Sequence, residues 1–300
     1  MRENIPYLFV LAAAVLWGTT GTAQTFAPEA AHPIAIGAIR LAVGGGTLLL
    51  ILFLFGSFSL KGLSFRETML AAVSMACYQP FFFSAVTLTG VAVGTVVAIG
   101  SAPVLAGMLE RMVFNKRQTK AWWFATFLSV IGCVTLFLNN QSVTVQPTGI
   151  LLAIGAGLSF AVYSLTSKRL ILTNKPLSVT AIVFTISGIL LSPILFLFDL
   201  SWLAEARGVV VSLQLGIVAT SLAYLLFSLG LKGVPSATAV TLSLAEPLTA
   251  ALLGVLLVGE ILSPVSWSGI ILLLSGIVLL TVGQKGKSRK DDVNLSASRG

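Results

Sequence analysis

Thr241-Leu242-Ser243-Leu244-Ala245-Glu246-Pro247-Leu248-Thr249-Ala250 sets an acid and a proline inside an apolar run that extends from Pro235 to Leu257. At a rise of about 1.5 Å per residue, a run of that length crosses the hydrocarbon of a bilayer. Glu246 falls about 17 Å along it, near the midplane. A carboxylate at that depth costs about 2.5–3.5 kcal/mol on insertion scales, so it must face protein or water rather than lipid. Pro247 has no amide proton for the helix ladder, and the Glu-Pro pair therefore predicts a kink or break. In the first half of the chain, Ala98-Ile99-Gly100-Ser101-Ala102-Pro103 carries the same proline without the acid and predicts a matching break at Pro103.

The composition agrees with a chain that lives in lipid. Of 300 residues, 56% are hydrophobic and 9% charged, too few charges to solvate a globule with so much apolar surface. The net charge of +8 then reflects lysine and arginine held on one side of a membrane, not a nucleic-acid partner. Cys77 and Cys133 lie in apolar runs without metal-ligand spacing and read as buried free thiols. Arg2 followed by the run from Ile5 to Gly18 has no small-residue cleavage site after it, so an uncleaved first span is expected.

Ten hydrophobic runs can be drawn, at 5–24, 34–55, 68–88, 91–111, 122–138, 149–168, 177–198, 208–230, 235–257 and 265–283. The tightest seam is Leu88-Thr89-Gly90-Val91. Arg2, Lys61, Arg66, Arg111, Lys116, Arg117, Lys120, Lys168, Arg169, Lys175, Lys232 and the basic residues of the tail from Gln284 to Gly300 fall on one side. The opposite loops hold Arg207 beside Glu29, His32, Asp199, Glu205 and Glu260. The positive-inside rule makes the first side, and both termini, cytoplasmic.

The halves repeat. A shift of 144 residues lays Gly44 on Gly188, Pro103 on Pro247, Trp123 on Trp267 and Gly132 on Gly276. A shift of 143 lays Gly90-Val91 on Gly233-Val234, so one net insertion reconciles the two registers. Five spans per half is an odd number, and the second copy must enter the membrane upside down. The expected fold is an all-α integral membrane protein of ten transmembrane helices, two inverted five-helix repeats around a central cavity. The first repeat is assigned to 1–145, the second to 146–283, and a disordered cytoplasmic tail to 284–300. Inverted repeats with interrupted helices at matching places are the pattern of secondary transporters.

Leu16-Trp17-Gly18, Ile39-Arg40-Leu41, Ala245-Glu246-Pro247-Leu248 and Gly259-Glu260-Ile261-Leu262 with Trp267 give the chain a resemblance to the EamA family of the drug/metabolite transporter superfamily. The resemblance covers residues 5–283 and is closest to the branch that exports amino acids, aromatic ones included. The chain departs from it after span four, where Asn115-Lys116 stands in place of Gly-Glu. The resemblance implies a multi-pass carrier of the inner (plasma) membrane that exports small amphipathic metabolites by alternating access. Efflux of lipophilic cations or drugs is the alternative within the same class, and a channel or structural membrane protein the alternative outside it. The partners expected are an amino acid or similar solute, the bilayer, and protons as a coupling ion, with the protein a monomer or homodimer and no cofactor.

Candidate site residues follow from polar and aromatic stripes, which lipid cannot satisfy. Trp17, Thr20, Gly21 and Gln24 share one stripe of span one, and Ser159, Tyr163 and Thr166 one of span six. Tyr78, Phe81 and Phe82 mark span three, and Ser221, Tyr224 and Leu225 span eight. Trp17, Tyr78, Phe82, Tyr163, Tyr224 and Ser243 are the substrate-binding candidates, against the plainer reading of helix packing. Glu246 is the candidate for binding a substrate amine or a coupling proton, against a capped acid at a proline break. Pro103 and Pro247 are the helix-break candidates. Arg40, about 9 Å into span two, reads as a side chain that snorkels to the outer interface or meets a structural partner, ahead of a carboxylate-binding role. Trp122, Trp123, Trp202 and Trp267 at span ends read as an interfacial belt. Gly90-x-x-x-Gly94 and Gly269, Gly276 and Gly283 read as close helix packing. Gly286-Lys287-Ser288 is not a P-loop, because Thr281 stands where the first glycine is needed. No catalytic residue or metal site is expected, since the chain has one His and no second acid near Glu246.

Overall fold

The computed structural model describes residues 4–55, 62–137, 146–259 and 261–283. Arg2, Lys61, Glu260, the junction between the repeats at 138–145 and the tail from 284 lie outside them. Ten helices follow in order: α1 (Ile5–Thr25), α2 (Pro33–Phe55), α3 (Phe65–Gly90), α4 (Val93–Phe114), α5 (Lys120–Phe137), α6 (Pro147–Thr173), α7 (Pro176–Leu197), α8 (Ala206–Leu231), α9 (Ser236–Leu257) and α10 (Pro264–Gly283). Among the described residues nine are long and apolar enough to cross a membrane, and α5 is a shorter apolar helix. Proline opens α2, α6, α7 and α10, where its missing N–H would have no intrahelical partner in any case.

Helix neighbours exchange between the halves. α1 packs on α8 and α9, while α6 packs on α3 and α4. α2 packs on α8 and, correspondingly, α7 on α3: Ser221 Oγ lies 2.9 Å from Gly44 O, and Ser187 Oγ 3.0 Å from Ala72 O. α2 with α7, and α5 with α10, pair with their own counterparts. That pattern is a pseudo-two-fold axis relating two five-helix halves, and an odd number of crossings per half inverts one relative to the other.

Between lipid-exposed helices the hydrophobic effect gives no adhesion, so close backbone approach must supply it. At the α5–α10 contact a Cβ added to Gly132 would stand 2.5 Å from Leu273 N, and one added to Gly269 2.6 Å from Leu136 N. Gly276 meets Ala125 and Ser129 of the same helix pair, which turns this face of α10 inward. Gly132→Leu is therefore expected to lower stability by about 1–3 kcal/mol through overpacking. A thermal melt in detergent checks this, and an unchanged midpoint would mean that the contact is loose.

Several expectations are corrected. Gly90 is no part of a packing seam: at φ 79° and ψ 159° it is the hinge between α3 and α4, in a conformation that disfavours any side chain. Pro103 does not break α4, which continues as a helix to Phe114. Trp122 and Trp202 are buried at 2% and 1% exposure, packed against Gly107 and Gly208, and so do not belong to an interfacial belt. Trp123 and Trp267 are exposed. Cys133 is buried and Cys77 half-buried, both as free thiols.

Candidate functional site

α9 is interrupted one turn before its proline. Pro247 cannot donate to Ser243 O, and the chain tightens there: Leu244 N bonds Thr241 O at 3.1 Å and Glu246 N bonds Ser243 O at 2.9 Å, both three residues back. The helix ends at Leu242 and restarts at Ala245. Ser243 Oγ turns back to Val240 O at 2.7 Å, so its hydroxyl is committed to the break. The Glu246 carboxylate has no hydrogen-bond partner among the described residues and faces a cavity.

That cavity has an inner chamber of about 40 Å³ and an outer one of about 350 Å³, which share Trp17, Thr20, Arg40, Tyr78, Ile99 and Glu246. The inner chamber adds Ala98, Ala102, Phe160, Tyr224 and Ser243. The outer one adds Gln24 at the end of α1, Pro33 at the start of α2, Gln79, Phe82 and Thr87 on α3, and Thr95 in the first turn of α4. These residues run to the end of the bundle opposite the basic loops. The cavity therefore opens toward that end and is floored near mid-depth.

The floor is aromatic. Trp17 lies 5.7 Å from Phe160, 4.8 Å from Tyr224 and 5.3 Å from Phe227 between ring centroids. Tyr78 stacks on Phe82 at 5.8 Å. Of the substrate-binding candidates, Trp17, Tyr78, Phe82, Tyr224 and Ser243 line the cavity with Glu246, and Tyr163 does not. Tyr163 sits one turn beyond Phe160, packed edge-on against Tyr224 at 5.6 Å and Phe184 at 5.7 Å. It supports the floor from behind, and Phe160 takes the lining place on α6.

Arg40 does not snorkel. It is 7% exposed; its Nε donates to Thr220 Oγ1 at 3.1 Å and an Nη to Ala219 O at 3.2 Å. The acceptors come from a π-helical turn of α8, Gln214–Leu222, in which Thr220 Oγ1 donates in turn to Leu215 O at 2.8 Å. The wider turn displaces carbonyls from the usual ladder and leaves Ala219 O and the Thr220 hydroxyl to hold a guanidinium. Hydrogen bonds to a charged group contribute about 1.5–3 kcal/mol each, which offsets part of the cost of placing Arg40 in the membrane interior. Gln79 is buried, also lines the cavity, and was missed from the sequence. Its only signal there was its place beside Tyr78.

The chain matches the EamA-like transporter family over residues 4–138 and again over 147–282, and it belongs to that family. It is a multi-pass membrane transporter. It is 50% identical over 296 residues to the transporter YwfM of Bacillus subtilis, covering 99% of this chain and 100% of that one. It is 30% identical over 292 residues to the threonine/homoserine exporter RhtA of Escherichia coli, covering 96% and 95%. A solved crystal structure at 22% identity superposes with a TM-score of 0.81 over 92% of this chain and 96% of that one, which supports the fold alone.

Proposed function

We propose that the protein exports small zwitterionic metabolites, amino acids foremost, from the cytoplasm by alternating access. The observation that carries this reading is the presence of both Arg40 and Glu246 on one cavity. An α-carboxylate would meet the guanidinium and an α-ammonium the unpartnered carboxylate, while the side chain lies against Trp17, Tyr78, Phe82 and Tyr224. A cavity of about 350 Å³ is within the range of small-molecule sites. Arg40 disfavours the alternative of a lipophilic cation, since a guanidinium at the site repels it. A closed floor disfavours a channel. The similarity to a threonine/homoserine exporter supports the same substrate class.

In this reading residues 1–145 and 146–283 are the two halves that rock, residues 284–300 are a cytoplasmic tail, and the basic end of the bundle faces the cytoplasm in the plasma membrane. Protons are the candidate coupling ion, with Glu246 their binding group. Counterflow in proteoliposomes tests the proposal: labelled threonine, homoserine and aromatic amino acids should exchange against unlabelled solute and saturate. Exchange of organic cations with no exchange of any amino acid would overturn it.

A further inference from the structure

The basic end of the bundle is shut by α9. Its first segment, Ser236–Leu242, is buried at 0–1% exposure at every residue, a plug that fills the bundle between the cavity floor and that end. Thr241 and Thr126 of α5 share a hydroxyl hydrogen bond at 3.2 Å across it. What holds the plug is a carboxylate from the other half. Glu110, on the last turns of α4, is 3% exposed; Oε1 accepts from Ser236 N at 3.2 Å, and Oε2 from Ala237 N at 3.4 Å and Gln118 Nε2 at 2.7 Å. On the other side of the same turn, Lys168 Nζ donates to the carbonyls that end α8, to Lys232 O at 3.3 Å, Val234 O at 3.2 Å and Leu231 O. An anion on the first N–H groups of one helix and a cation on the last carbonyls of its neighbour each complement a helix dipole.

Among the described residues the opposite end has no such carboxylate cap. The register that lays Pro103 on Pro247 lays Glu110 on Gly254, so the repeat puts no carboxylate at the matching place on the outer part of α9. The cavity mouth opens at that end. Among the described residues two carboxylates bridge the halves at the basic end, Glu110 at Ser236 and Ala237 and Glu67 to Arg169 at 2.9 Å, and the repeat lays both on uncharged positions, Gly254 and Val211, toward the open end.

We propose that Glu110 is the clasp of the closed cytoplasmic gate, a gating residue whose release from Ser236 and Ala237 frees α9 to swing from α4 and opens the cavity inward. The proposal rests on the reading of the protein as an alternating-access carrier, but not on any particular substrate. Because Ser236–Leu242 is a single helical segment ending at the break before Glu246, movement at the clasp is carried to the site. Opening must also break the Thr126–Thr241 contact and the attraction between Glu110 and Lys168, while the Lys168 hydrogen bonds lie within one half and keep the α8–α9 turn intact as it moves.

Accessibility of single cysteines, which needs no substrate, tests this. In a background with Cys77→Ala and Cys133→Ala, one reporter is Ala106→Cys on α4 beside the plug and another Thr95→Cys at the mouth. A membrane-impermeant thiol reagent is applied from either side of vesicles. Adding Glu110→Gln keeps the volume but leaves one acceptor oxygen where two are used. Labelling at position 106 from the basic end should rise about ten-fold, as expected for the loss of a charge-assisted contact, while labelling at 95 from the other side falls. Glu110→Asp, which keeps the charge but shortens the reach, should give the same signs, and serves if the glutamine variant does not fold. If labelling at both positions rises together, or neither changes in either folded variant, Glu110 is a fixed helix cap and the proposal is overturned. Failure of amino-acid counterflow with the reciprocal labelling intact would strike the substrate reading and leave the gate standing.

Discussion

Glu246→Gln inserts, folds and melts as the parent does, and its amino-acid counterflow falls by about ten-fold or more, the loss expected when a charge-assisted hydrogen bond becomes a neutral one. The substitution keeps the volume at the break and leaves the proline in place. The backbone contacts that shape the turn, Glu246 N to Ser243 O and Leu244 N to Thr241 O, do not involve the side chain. Nothing in the described structure hydrogen-bonds the carboxylate, so the substitution breaks no hydrogen bond and removes only the attraction of Arg40 across the cavity. The residual flux should also lose whatever dependence on pH the carboxylate confers, because an amide does not titrate. Purified Glu246→Gln exchanging at the parent rate at every pH would make the acid a bystander in the cavity. A large drop in melting temperature would instead make it a structural group.

The second large effect belongs to Arg40. Arg40→Met keeps a long apolar stem but removes the charge, and is expected to lower counterflow of amino acids by about ten-fold to a hundred-fold. Compounds that keep the amine and lack the carboxylate should be far less affected. Glu246→Gln should discriminate in the opposite sense, sparing solutes that lack the amine. That crossed pattern separates recognition from scaffolding. Arg40 also ties α2 to the π-helical turn of α8, so a purely structural role would depress every solute equally and lower the melting temperature as well. Equal loss for amino acids and decarboxylated amines would remove Arg40 from the binding reading.

The ten helices were legible from hydropathy because a bilayer leaves the backbone few choices: each crossing must satisfy its own amide groups and be about twenty apolar residues long. The hinge at Gly90 was visible as a seam for the same reason, since a short glycine-containing gap joins two apolar runs. Trp17, Thr20, Gly21, Gln24, Tyr78, Phe82 and Tyr224 were legible as polar or aromatic stripes, whereas Gln79, Thr87, Thr95 and Phe160 of the same cavity were not. Tyr163 was misplaced because a stripe fixes an azimuth around a helix and not a depth. One turn, about 5.4 Å, separates a lining ring from a supporting one. Pro103 was misjudged because a proline constrains only its own amide and the carbonyl four residues back, and α4 absorbs the loss that α9 does not.

By itself, the sequence determined that this chain spans a membrane ten times, that its halves are copies related by inversion, and that Glu246 with Pro247 marks the interior. Those conclusions rest on local periodicity and on charges counted along the chain, which need no knowledge of neighbours. The tertiary structure alone decided the partners of the charges. Arg40 read equally as a snorkelling side chain or one with a structural partner until α8 supplied Thr220 and Ala219, 180 and 179 residues away. Glu110 was unremarked until α9 set Ser236 and Ala237 against it, 126 and 127 residues away. A charge in a membrane takes its role from the groups that hydrogen-bond it, and for Arg40 and Glu110 those groups come from helices far away in the chain.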